Sequence, residues 1–111
     1  MLVEKQLLNG IHTFHHVFNL VVLIHADGTF TQYMHLTFNG ALVEVGDSLK
    51  KGDLLGLSGN TGLAGYAHLH FVATKSGFYE YPYKSFPTTF SNTDPNPKSL
   101  LSNKYYMAQP Y

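Results

Sequence analysis

Glycine recurs at Gly28, Gly40, Gly46, Gly52, Gly56, Gly59, Gly62 and Gly65. The segments between these residues run to roughly four to eight residues, the spacing of short strands separated by turns. Apart from a weak turn at the N-terminus, no segment of residues 1–76 carries a sustained helical period. The pattern therefore predicts an all-β domain: an antiparallel sheet core of short strands and tight Gly-rich turns, followed by a loop-rich C-terminal tail.

Within that frame the strands can be placed. Residues 20–25 (Leu-Val-Val-Leu-Ile-His) are β-branched or apolar on both faces, which predicts a central, buried strand. Ala26-Asp27-Gly28-Thr29 is a turn, with Asp-Gly as its hairpin signal. Residues 30–36 return as the partner strand; strict alternation puts Tyr33 and His35 on one face and Met34 and Leu36 on the other. Gly46-Asp47 and Gly52-Asp53 frame a polar turn, and residues 54–58 form the next strand. Gly59-Asn60-Thr61-Gly62 is a tight loop whose glycines are expected to supply positive φ. Residues 67–74 form the last strand of the core.

From Gly77 the character changes. Pro82, Pro87, Pro95 and Pro97 fall here with several tyrosines, and residues 100–108 read as either a last strand or a short helix. The expected organisation is thus a leader at 1–18, a sheet core at 19–76 and a Pro/Tyr-rich extension at 77–111 packing on it.

Seven acidic and seven basic residues, with no run of either sign, leave none of the electrostatic footprint that nucleic-acid binding requires. The longest apolar run, residues 20–24, is far too short to cross a bilayer. The first residues lack the basic-then-apolar order of a signal peptide. The absence of cysteine excludes disulfides and thiolate metal sites, so any metal must be held by His, Asp or Glu. Histidine, with seven copies in 111 residues, is in ample supply.

On a strand, residues i and i+2 share a face at about 7 Å. His68 and His70 therefore project together, with Leu69 on the opposite, buried side. Two imidazoles so placed suit a metal ligand beside a proton-transfer group, or two ligands of one ion. In a His-rich chain the same spacing also arises by chance. His35 is similarly open between a catalytic and a hydrogen-bonded structural role, whereas His25, ending a buried strand, reads as structural. His12, His15 and His16 fit no common zinc spacing and read as a solvated loop, as Lys50-Lys51 reads as a solvated turn.

Five segments taken together add more: 22–28 (Val-Leu-Ile-His-Ala-Asp-Gly), 33–36 (Tyr-Met-His-Leu), 45–53 (Val-Gly-Asp-Ser-Leu-Lys-Lys-Gly-Asp), 59–62 (Gly-Asn-Thr-Gly) and 67–71 (Ala-His-Leu-His-Phe). In this order and spacing they closely resemble the β-sheet core of the lysostaphin/LytM-type zinc metallopeptidases, whose catalytic members cut peptides of bacterial peptidoglycan. The resemblance implies zinc as cofactor, with His70 a metal ligand, His68 a catalytic histidine beside it and His35 the second catalytic histidine. It further implies peptidoglycan peptides as substrate and an extracytoplasmic location.

The family's other two ligands lie in an upstream His-x-x-x-Asp segment, for which no residue here qualifies; His12-Thr13-Phe14-His15-His16 has His where Asp is required. The expectation is therefore a truncated or degenerate site that binds zinc weakly, with hydrolysis belonging to an intact parent and this chain incomplete or inactive alone, and a chain that is marginally stable or self-associating through an exposed sheet edge. The alternative is a non-catalytic module of the same fold that binds peptidoglycan or a partner protein. A weaker option, a lipoyl- or biotinyl-carrier hairpin around Gly46 to Gly56, lacks the neighbours that such a carrier lysine requires.

Overall fold

A computed structural model of the protein describes residues 2–4, 19–61, 65–75 and 84–110, the first three by main chain alone. Its centre is a five-stranded antiparallel sheet formed by β1 (Leu2–Glu4), β2 (Asn19–Ile24), β3 (Phe30–Ala41), β4 (Gly56–Ser58) and β5 (His70–Thr74). Two further strands, β6 (Thr93–Asp94) and β7 (Met107–Ala108), pair with each other in the C-terminal extension. No helix occurs among the described residues, and the all-β expectation holds. The end of the chain, open between strand and helix from its sequence, forms a strand at Met107–Ala108. Of residues 1–18, Leu2–Glu4 pair with β2, whereas His12, His15 and His16 lie outside the described residues.

The uninterrupted apolar run of β2 requires cover on both faces, and Leu20, Val21, Val22 and Leu23 are all buried. One face meets Leu36 and Val43, with Tyr33, Ala41, Leu49 and Leu55 packed around them. The other carries Leu20 and Val22, and the register adds Gln32 and Val72 beside it. Gln32 is fully buried, and its amide atoms have no hydrogen-bond partner among the described residues. The β2–β3 hairpin closes as its Asp-Gly signal predicts. Asp27 accepts hydrogen bonds from the hydroxyl and the amide of Thr29, which hold its carboxyl below the usual range. His25 reaches across to Thr31 at 2.8 Å, so it serves the hairpin.

β3 departs from simple alternation. Val21 pairs with Tyr33, but Asn19, two residues earlier, pairs with Leu36, three residues later. One extra residue is accommodated as a bulge, and His35 within it has φ of +63°. The sequence-based pattern placed Leu36 on the face opposite Tyr33. The bulge reverses that placement, and Leu36 joins Val21, Leu23 and Val43 in the core.

A second feature of β3 positions the site. The N-terminal half of its free edge pairs with β5, from Phe30 opposite Thr74 to Met34 opposite His70. The C-terminal half pairs with β4, Leu36 opposite Ser58 and Ala41 opposite Gly56. β4 and β5 thus share one edge end to end, and the seam between them falls at His35. The outer edge of β5 is covered in turn by the extension, where Ser85 bridges Thr74 and the Phe86 amide donates to the Ala73 carbonyl. Such cover removes part of an edge that otherwise templates aggregation.

Candidate functional site

At the seam, main-chain hydrogen bonds link the histidine-bearing segments. The Gly59 amide donates to the His35 carbonyl at 2.9 Å, and the His68 amide donates to the Gly59 carbonyl at 3.1 Å. Gly59 does not adopt positive φ, contrary to the sequence-based expectation. It is required because a Cβ there would stand 2.6 Å from the main-chain N and Cα of Thr37. Gly62, the loop's other glycine, lies outside the described residues.

This arrangement brings His35, His68 and His70 together. The His35 ring centroid lies 4.9 Å from that of His68 and 5.6 Å from that of His70. His68 precedes the regular part of β5 and is placed by its bridge to Gly59, whereas His70 begins β5 opposite Met34. Leu69 points to the other side of the sheet, where it lines a cavity of about 270 Å³ with Tyr33, Leu36, Leu55, Gly56 and Ser58. The sequence suggested a buried Leu69; it is instead 47% exposed, since that cavity is open.

Two of the three rings have their protonation pattern fixed by the main chain. The Nδ1 of His35 lies 2.6 Å from the Thr61 carbonyl oxygen, and the Nδ1 of His68 lies 2.8 Å from that of Tyr66. A carbonyl only accepts, so each Nδ1 carries the hydrogen and each Nε2 of the neutral ring presents a lone pair. Each ring can therefore take up a proton at Nε2 and, once charged, donate a hydrogen bond from it.

His70 differs. Partial desolvation, followed by the like charges of His35 and His68, lowers its pKa from the ordinary 6.5. The shift favours the neutral ring. Because the folded pKa is depressed, the unfolded chain binds the proton more readily. The stability contributed by a neutral His70 is fully present above about pH 6.5 and is lost as the pH falls through the folded pKa. Thermal unfolding of the metal-free chain between about pH 8 and 5 is therefore expected to show a falling midpoint. His70→Gln should flatten the slope; an unchanged slope would remove His70 as its source.

Among the described residues no group of three His, Asp or Glu side chains is arranged to hold a metal ion. The described set therefore completes no metal site. Two polar residues that the sequence did not single out support the cluster. Thr61 was named only within the Gly-Asn-Thr-Gly loop segment, and Asn19 only as the first residue of the expected sheet core. Tyr66, 72% exposed with its ring 4.8 Å from that of His68, was likewise unmarked.

Comparison with known proteins points the same way. The sequence profile of peptidase family M23 matches residues 10–82, well over half of the chain. Lysostaphin of Staphylococcus simulans is 44% identical over 62 residues, covering 54% of this chain and 12% of lysostaphin. The glycyl-glycine endopeptidase ALE-1 of Staphylococcus capitis is 44% identical over 62 residues, covering 54% of this chain and 16% of that protein. The peptidoglycan DD-endopeptidase ShyA of Vibrio cholerae is 42% identical over 53 residues, 48% of this chain and 12% of ShyA. The chain thus matches only a small part of the length of each of these relatives. No solved structure matches it.

Proposed function

The chain belongs to peptidase family M23, and on that footing we propose that it is a zinc-dependent peptidase domain hydrolysing peptide bonds of peptidoglycan. The observation that carries this reading is the gathering of His35, His68 and His70 at the β4–β5 seam, with the Nε2 of His35 and of His68 unpartnered among the described residues.

In this reading one of the two, His68 or His35, takes the proton of the attacking water at Nε2. The other, as an imidazolium, donates a hydrogen bond to the developing oxyanion. Proton transfer by a positioned imidazole and a donor aimed at the oxyanion are both worth substantial rate because neither must reorganise during the reaction. His70, held neutral, is one ligand of zinc, which when bound supplies a Lewis acid that polarises a carbonyl. The named substrates of the relatives, glycyl-glycine bonds for ALE-1 and peptidoglycan for ShyA, support peptidoglycan peptides as the substrate class. Such a substrate places the domain in the cell envelope or outside the cell. No helix among the described residues is long and apolar enough to cross a membrane.

The absence of a complete ligand group among the described residues favours a second reading, a non-catalytic module that binds peptidoglycan through the same face. Incubating the zinc-supplied protein with purified peptidoglycan and counting newly formed amino termini separates the two. Hydrolysis is expected to appear, to stop on chelation and to be lost in His70→Ala. Cosedimentation with peptidoglycan without new amino termini would leave only the binding module.

A further inference from the structure

Thr61 holds a position that its reading as a turn residue does not explain. Its hydroxyl donates to the Leu36 carbonyl at 2.6 Å and accepts from the Asn19 amide at 3.3 Å. Its carbonyl accepts the Nδ1–H of His35 at 2.6 Å. The Asn19 side chain, itself almost fully buried, donates from Nδ2 to the Thr37 carbonyl at 3.0 Å. These four bonds enclose the bulge: Asn19 at the start of β2, Leu36 and Thr37 just past the bulged residue, and Thr61 from the loop beyond β4. His35 lies inside the enclosure with φ of +63°, a conformation that is disfavoured for a non-glycine residue and persists only where the surroundings impose it.

We infer that Thr61 is a positioning residue for His35: its hydroxyl anchors the loop to β3 so that its carbonyl fixes the ring's direction and keeps the hydrogen on Nδ1. The inference rests on the functional reading above only in calling His35 a proton-handling group. The physical logic is that of a ligand-orienting partner, which fixes tautomer and ring plane through the nitrogen that does no chemistry. A carbonyl oxygen cannot be removed by substitution. The hydroxyl that aims it can, without altering the shape of the side chain, by Thr61→Val.

Nitrogen NMR of labelled histidine in the metal-free full chain, at about pH 8 where an ordinary imidazole is neutral, reads the tautomer directly. His35 is expected as Nδ1–H in the wild type and in Thr61→Ser, and shifted toward Nε2–H in Thr61→Val. In the zinc-supplied protein the same valine substitution is expected to lower kcat on the order of 10²-fold with little change in KM, and Thr61→Ser to restore it. Thr61→Ala, which removes the hydroxyl without adding bulk, takes the place of Thr61→Val should the latter fail to fold.

A wild-type His35 protonated at Nε2, or a folded Thr61→Val with the wild-type signature, overturns the inference. Should the wild type prove unable to hydrolyse peptidoglycan, the tautomer shift still decides the role of Thr61, and only the functional reading falls.

Discussion

His35→Gly and His35→Ala are expected to lose peptidoglycan hydrolysis together, by about 10²–10⁴-fold, the range for removing a positioned proton-transfer group. They are nevertheless expected to differ in stability. Both substitutions delete the ring and its bond to the Thr61 carbonyl, so those losses cancel in the comparison. What remains is the left-handed backbone at position 35, which glycine adopts freely and alanine does not. The glycine variant should therefore be the more stable of the two by about 1 kcal/mol in urea titration. Equal stabilities would mean that the bulge relaxes once the ring is gone. Retained hydrolysis in both would remove His35 from the chemistry.

Gly59→Ala is expected to cause a large loss of stability for so small a substitution. The added methyl meets main-chain atoms of Thr37 at 2.6 Å, and a paired strand cannot swing aside as a flexible side chain can. The cost should reach about 2–3 kcal/mol, the upper part of the range for overpacking. Because the amide and carbonyl of Gly59 bond to the backbones of His35 and His68, the displacement should also pull those residues apart. Gly28→Ala is the control. Its φ of +82° is disfavoured for alanine, but the space beside it is open, so it should cost only about 1 kcal/mol. A Gly59→Ala protein as stable as Gly28→Ala would show that the approach of β4 to Thr37 is not tight.

Local chemistry made much of this fold legible in advance. The apolar run at 20–24 and the Asp27-Gly28 turn name the central hairpin, since an apolar strand must be covered on both sides and Gly28 must turn. What could not be read is the bulge. No glycine or asparagine marks it; the strained residue is His35 itself, held in place by Thr61 and Asn19 from segments remote in sequence. Alternation therefore mis-faced Leu36. Gly59 was legible as a glycine position but not for its reason, because a steric approach by Thr37 leaves no trace in the local sequence. The pairing of His68 with His70 was legible from spacing. Their meeting with His35 depends on β4 and β5 dividing one edge of β3, which is a property of the topology.

The relay of main-chain bonds from His35 through Gly59 to His68 has a practical consequence for anyone wishing to retarget such a domain. The backbones that carry the two imidazoles are held by peptide groups, so exposed side chains that touch neither ring can be varied without moving those backbones. The hydrogen bond that Tyr66 gives His68 comes from its carbonyl, which every amino acid provides, whereas its ring also lies against that of His68 and is best kept. Altered recognition can thus be sought by substitution at fixed loop length, on a template that behaves like a machinist's jig.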